Sequence, residues 1–257
     1  MRALSLVSAA VLVWSVSARA ADNNLGSIAG TVRLAGPVPS IPLMYAEQDI
    51  DVCGPQARPV QSLVLGTNQV VRDAVVYLSA VASNGRRASS NAVVAVLDQR
   101  DCEFTPRVQI TESGATLALR NSDPVLHVVR IDSLSGTNAP TPLLNVATPY
   151  AGYEKRFKLA NFKEPTLLKA TCSNGHSWMV AYLAVMPHTP AALTDMNGRF
   201  TLAGLAAGAY KLYAWHEALG TLVRDVRVSD GRVTSIDLEF GVNRNESATS
   251  IGRKRSD

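Results

Sequence analysis

The stretch Thr171-Cys172-Ser173-Asn174-Gly175-His176-Ser177-Trp178-Met179 holds a thiol, an imidazole and a thioether at the spacing C-x3-H-x2-M. Sulfur donors are soft and imidazole nitrogen is borderline, so the set suits a metal that accepts both. A further imidazole, His127, follows Asn121-Ser122-Asp123-Pro124-Val125-Leu126. Each residue has an ordinary alternative: His127 as a satisfied polar residue near a strand end, Met179 as core, Cys172 as a shielded core thiol. Taken jointly, four donors at these spacings point to a metal site. Structural zinc prefers paired Cys-x2-Cys or His-x3-His elements, and none surrounds Cys172. The disulfide-exchange motif C-x-x-C is absent as well. His188, after Met186-Pro187, reads as a junction residue, and His216, in Trp215-His216-Glu217, as a packing or hydrogen-bonding one. No nucleophile triad or paired-carboxylate signature appears, so an enzyme is not expected.

Three cysteines divide two plus one. Cys53 and Cys102 have neither a His nor a second Cys nearby in sequence, and they are expected to form a disulfide. Cys172 is left over beside His176 and Met179. The pairing presupposes an oxidising compartment, and the first residues supply one. Arg2, an apolar run of about thirteen residues from Leu4 to Val16, and Ala18-Arg19-Ala20 read as a signal peptide over residues 1–20. The rival is an uncleaved anchor, although the run is short for a bilayer. The mature chain is expected to start near Ala21 and to reside in the periplasm or outside the cell. Without Arg2 and Arg19, 23 basic residues face 21 acidic ones, which is no footprint for nucleic acid. No second apolar run is long enough to span a membrane.

Short strands must position these donors. Alternating or β-branched runs occur at residues 27–34, 74–78, 92–97, 108–110, 116–119, 154–157, 166–170, 180–185, 199–202, 210–215, 222–228 and 233–240. Gly, Asn, Asp and Pro punctuate the gaps. Helical periodicity is weak, with Ala191-Ala192 at best in a short turn. This pattern predicts an all-β chain of antiparallel sandwiches. The loop between strands ending at Ala170 and starting at Val180 delivers Cys172, His176 and Met179, while His127 comes from a neighbouring loop. Residues 242–257, rich in Asn, Ser, Arg and Lys, read as a disordered tail.

Two family resemblances sharpen this frame. Thr194-Asp195-Met196-Asn197-Gly198-Arg199-Phe200-Thr201-Leu202, then Leu205-Ala206-Ala207-Gly208-Ala209-Tyr210, resembles the carboxypeptidase regulatory-like (prealbumin-type) sandwich. Gly26-Ser27-Ile28-Ala29-Gly30-Thr31-Val32 looks like that domain's first strand, which implies a sandwich split over residues 25–92 and 189–241. Between the halves, Phe104-Thr105-Pro106, Gly114-Ala115-Thr116-Leu117, Asn121 to His127 and Cys172 to Met179 resemble a cupredoxin across residues 93–187. That resemblance implies a Greek-key sandwich with copper held by His127, Cys172, His176 and an axial Met179. Such a site joins two imidazoles and a thiolate with a weak thioether. The binuclear copper centre of cytochrome oxidase ends similarly but has another Cys where this chain has Leu168, so a mononuclear site is implied.

Secreted bacterial proteins labelled methylamine-utilisation proteins combine both domains, and the chain is similar to them at Asp123-Pro124-Val125-Leu126-His127, Trp178-Met179-Val180-Ala181-Tyr182 and Trp215-His216-Glu217. It departs where the group has Asn and a second His; here stand Val128 and Arg130. The Asn normally ties the ligand loops together, so its absence puts the integrity of the site in question. The expected function is electron transfer by a mononuclear copper protein, working with a redox partner protein. The alternatives are a copper-carrying or buffering protein with a copper donor or acceptor, and a structural binding module that has lost the metal.

Overall fold

The computed structural model describes residues 24–241 apart from 42, 47, 55–57, 60–61, 80–92 and 135–138. The expected signal peptide and tail lie outside the described residues. The chain begins with β1 (Gly26–Ala35), β2 (Leu43–Met44), one helical turn α1 (Ile50–Cys53), β3 (Arg58–Pro59) and β4 (Val75–Leu78). The middle contributes β5 (Val94–Arg100), β6 (Glu103–Thr105), β7 (Val108–Glu112), β8 (Thr116–Asn121) and β9 (His127–Ser133). It continues with β10 (Thr141–Thr148), β11 (Tyr153–Lys158), β12 (Thr166–Cys172) and β13 (Val180–Met186). The chain closes with β14 (Ala191–Leu193), β15 (Arg199–Leu205), β16 (Gly208–His216), β17 (Gly220–Val228), β18 (Val233–Ser235) and β19 (Leu238–Gly241).

The protein is all-β, and four main sheets lie in layers. The middle strands form one sheet in the order β11-β8-β5-β6 and another in the order β10-β9-β12-β13-β7. Leu97, Leu117 and Leu119 of the first meet Ile131, Leu168 and Leu183 of the second in one buried core. The flanking segments form β14-β4-β16-β17 and a sheet in which β1 pairs with β15, β18 and β19. Val76, Leu78 and Leu212 meet Ile28, Phe200 and Phe240 in a second core. The two sandwiches then pack back to back: Tyr182, Ala184 and Met186 of β13 meet Val75 and Tyr77 of β4 and Trp215 of β16.

This layering explains the continuous apolar runs. Successive side chains of a strand point to opposite faces. Leu183 faces one core while Tyr182 and Ala184 face the seam; Val76 and Leu78 face the other core while Val75 and Tyr77 face the seam. A strand covered on both sides gains by being apolar at every position. The seam also carries a half-buried ion pair. Arg107 Nη2 reaches both carboxylate oxygens of Glu217 at 2.6 and 2.8 Å, and Arg107 Nη1 donates to the Val180 carbonyl at 2.9 Å.

Three local expectations are corrected. Ala191 and Ala192 are not in a turn: β14 pairs with Tyr77 and Val76, because the strand edge of β4 takes them up. Residues 233–240 form two strands rather than one, both parallel to β1. Between them the exposed Asp237 takes the amide and hydroxyl of Thr31 at 2.8 and 2.6 Å. His127 does not lie in a loop after the 116–119 strand; it opens β9, which with β10 was not foreseen. Among the described residues, no helix is long and apolar enough to cross a membrane.

Candidate metal centre

The centre sits where β9 begins and β12 ends. Cys172 pairs with Val129 in antiparallel register, so Cys172 and His127, two residues before Val129, share one face. That face is the inner one: His127 is 0% exposed and Cys172 7%. From Cys172 the chain turns through Gly175, at φ +77°, and returns with Met179 N donating to the His176 carbonyl at 3.0 Å. Cys172 N donates to the Met179 carbonyl at 3.3 Å and closes the loop. His176 is 0% exposed and Met179 1%.

Three of the four expected donors are brought to one point. His127 Nδ1 and His176 Nδ1 lie 3.0 Å apart, and Cys172 Sγ is 3.8 Å from the first and 3.5 Å from the second. A point equidistant from these atoms lies about 2 Å from each, close to metal–nitrogen bonds of about 2.0 Å and metal–sulfur bonds of about 2.3 Å. Met179 is buried in the same core as Cys172 and Trp178.

The far side of each imidazole is equally specified. His127 Nε2 lies 3.0 Å from Asp123 Oδ2, and His176 Nε2 lies 3.1 Å from Asp49 Oδ2. A carboxylate only accepts, so each Nε2 carries the proton and each Nδ1 presents a bare lone pair. Burial lowers the pKa of both histidines, and for His176 the neighbouring His127 lowers it further, against the pull of the carboxylates. Both are therefore neutral at pH 7. The Cys172 thiol can donate to one Nδ1; the other lone pair then still faces an acceptor inside a buried core. Bringing two lone pairs to 3.0 Å there is unfavourable without a cation between them. Carboxylate, imidazole and metal in line is also the usual outer shell of a metal-bound histidine.

A buried polar network sets the position of His127. Asn121 Nδ2 donates to the Val125 and Thr148 carbonyls at 2.8 and 2.7 Å, and its Oδ1 accepts from Asp123 N at 2.9 Å. Thr148 Oγ1 reaches Gln99 Oε1 at 2.7 Å and the His127 carbonyl at 3.1 Å. Trp178 packs edge-on to His176, with centroids 5.3 Å apart, and its Nε1 donates to the Cys102 carbonyl at 2.8 Å. Cys53 and Cys102 form the expected disulfide.

The two departures in the sequence have structural answers. Val128 lends its backbone to the loop tie: its carbonyl accepts from Ser173 N at 2.9 Å, and Asn174 Nδ2 donates to the Leu126 carbonyl at 2.9 Å. Arg130 is exposed on β9, paired with Asp132 at 2.9 Å, and lies outside the donor cluster. His188, at φ +56°, is in the turn between β13 and β14, and His216 belongs to the seam. Asp49 was missed entirely. Asp123 was legible only as part of a motif, without its contact to His127.

No family model matches the chain, and no curated protein matches it. Among solved structures, the cupredoxins are similar to part of it. A reduced Cu(I) form of an amicyanin variant is 14% identical, covering 43% of this chain and 97% of that one, with a TM-score of 0.29. A purple cupredoxin from Nitrosopumilus maritimus is 24% identical over 35% of this chain and 98% of that one, with a TM-score of 0.27. A copper-containing nitrite reductase from Thermus scotoductus is 20% identical over 40% of this chain and 24% of that one, with a TM-score of 0.28.

Proposed function

We propose that the chain is a mononuclear copper protein of the cupredoxin type that carries single electrons outside the cytoplasm between redox partner proteins. In this reading His127, Cys172 and His176 are the in-plane ligands and Met179 is the weak axial one. The observation that carries it is the buried pair of Nδ1 lone pairs 3.0 Å apart beside a thiol, each imidazole holding its other nitrogen against a carboxylate. Bound copper would supply a one-electron Cu(II)/Cu(I) couple. The residues do the rest: sulfur suits the reduced ion, imidazole suits both, and the rigid core keeps the donors in place in either state. The flanking segments 25–92 and 189–241 would then be the regulatory-like sandwich, serving as a scaffold or attachment module.

Carriage of electrons is favoured over catalysis or copper delivery by burial. His127 and His176 are fully buried and Cys172 nearly so, which keeps substrates and metal acceptors away from the donors. Electrons need no such opening. Voltammetry of the copper-loaded mature protein is expected to give a reversible one-electron couple, with NMR line broadening from fast self-exchange. Tight Cu(I) binding without a stable Cu(II) form would instead assign the chain to copper carriage.

A further inference from the structure

The disulfide and the two carboxylates form one connected unit behind the imidazoles. Asp49 precedes α1 at φ +52°, a conformation that Asp tolerates. Its carbonyl accepts from Val52 N and Cys53 N at 2.9 and 2.7 Å, yet its side chain makes no cap to the helical turn. An Asp in this position ordinarily caps the first turn; here the carboxylate goes to His176. On the other side, Asp101 and Cys102 form the two-residue turn between β5 and β6, both at φ +55°. Their amides donate to Asp123, at 2.7 Å to Oδ1 and 3.0 Å to Oδ2, and that same Oδ2 takes His127 Nε2. The bond between Cys53 and Cys102 ties the two turns together, and Cys53 Sγ lies 3.7 Å from His176 Nε2. Gln48 lies close over Gly175: a Cβ there would stand 2.8 Å from Gln48 Cδ.

We infer that the Cys53–Cys102 disulfide is a strut that, through Asp49 and Asp123, holds both imidazoles with Nε2 protonated and Nδ1 aimed at the metal. The inference rests on the copper reading for its consequence, but the orientation it describes exists before any metal binds. Asp49 is a positioning residue contributed by a segment far from the ligands in sequence, and Asp123 is its counterpart.

The test uses the full mature chain in two arms. In the metal-free protein, 15N NMR of the imidazoles is expected to show slowly exchanging Nε2–H protons on both His127 and His176. Asp49→Ala should lose the His176 signal and keep that of His127; Asp49→Asn, which retains a carbonyl acceptor, should restore it. Cys53→Ala with Cys102→Ala should weaken both signals, and Asp49→Ala keeps the test decisive if that double variant fails to fold. In the second arm, Cu(I) affinity measured by chelator competition should fall by about 10–100-fold in Asp49→Ala and recover in Asp49→Asn. Unchanged Nε2–H signals in Asp49→Ala would overturn the strut. The predicted NMR pattern in a chain that binds no copper would uphold it and refute the copper reading instead.

Discussion

Two clusters of titratable side chains inside the described part of the chain are resolved in opposite ways. At the seam between the sandwiches, Glu217 meets Arg107 through two nitrogens, Arg107 also reaches the Val180 carbonyl, and His216 Nδ1 accepts from Ala218 N at 3.3 Å. There the charged groups satisfy each other, although the buried Tyr77 hydroxyl at the same seam finds no partner. At the metal centre the outward nitrogens are equally well matched, but the inward atoms are three acceptors and one thiol proton. The seam charges pair with each other; the imidazole lone pairs of the second cluster face one another across a gap that a cation would fit. Histidine burial alone does not separate the two roles, since His127, His176 and His216 are all buried. What separates them is whether the lone pairs converge.

Glu217→Ala leaves the half-buried Arg107 without its partner; removing one member of a buried pair costs about 3–5 kcal/mol, and the low end applies to this partly exposed one. Denaturant unfolding should show that loss while copper binding is retained. The metal side should behave in reverse. Copper in thousandfold excess over its dissociation constant should stabilise the folded protein by about 4 kcal/mol, seen as a higher melting temperature that a chelator reverses. Glu217→Ala should keep that increment, and His127→Ala should lose it.

A smaller effect comes from pH. Burial, with the Arg107 charge adding to it, pushes the His216 pKa down to about 4. Between pH 6.5 and 4 the unfolded chain therefore binds a proton that the folded chain refuses, so stability falls as pH falls. The full loss, reached below pH 4, is about 3 kcal/mol for this group, and the lowered His127 and His176 act in the same direction. Chemical denaturation across that range should show the slope, and His216→Gln should reduce it. Smallest of all, Asn174→Ala removes one exposed hydrogen bond to Leu126 and should cost about 1 kcal/mol or less, with the copper site intact.

The same contrast marks what was legible in the sequence. Cys172, His176 and Met179 sit on one loop, so their spacing alone announced a site, and the unpaired cysteine agreed with it. Strands buried on both faces, such as β4 and β13, were plain as continuous apolar runs. β9 was hidden because Arg130 and Asp132 interrupt it and pair with each other. Val128 looked like a lost loop tie because side-chain identity says nothing about a carbonyl, and it is the carbonyl that Ser173 uses. Asp49 carried no signal at all: it lies more than a hundred residues from His176 and meets it only in the folded chain. Local spacing announces ligands, whereas the groups that aim them come from wherever the fold brings them.

In the proposed function His127, Cys172 and His176 surround one copper ion. Titrating Cu(II) into the purified mature protein, with Cys172→Ser alongside, tests it most directly. An intense visible thiolate-to-copper absorption that saturates at one copper per chain and vanishes in Cys172→Ser is the predicted result. No such band in the wild-type protein, or one that persists in Cys172→Ser, would contradict it.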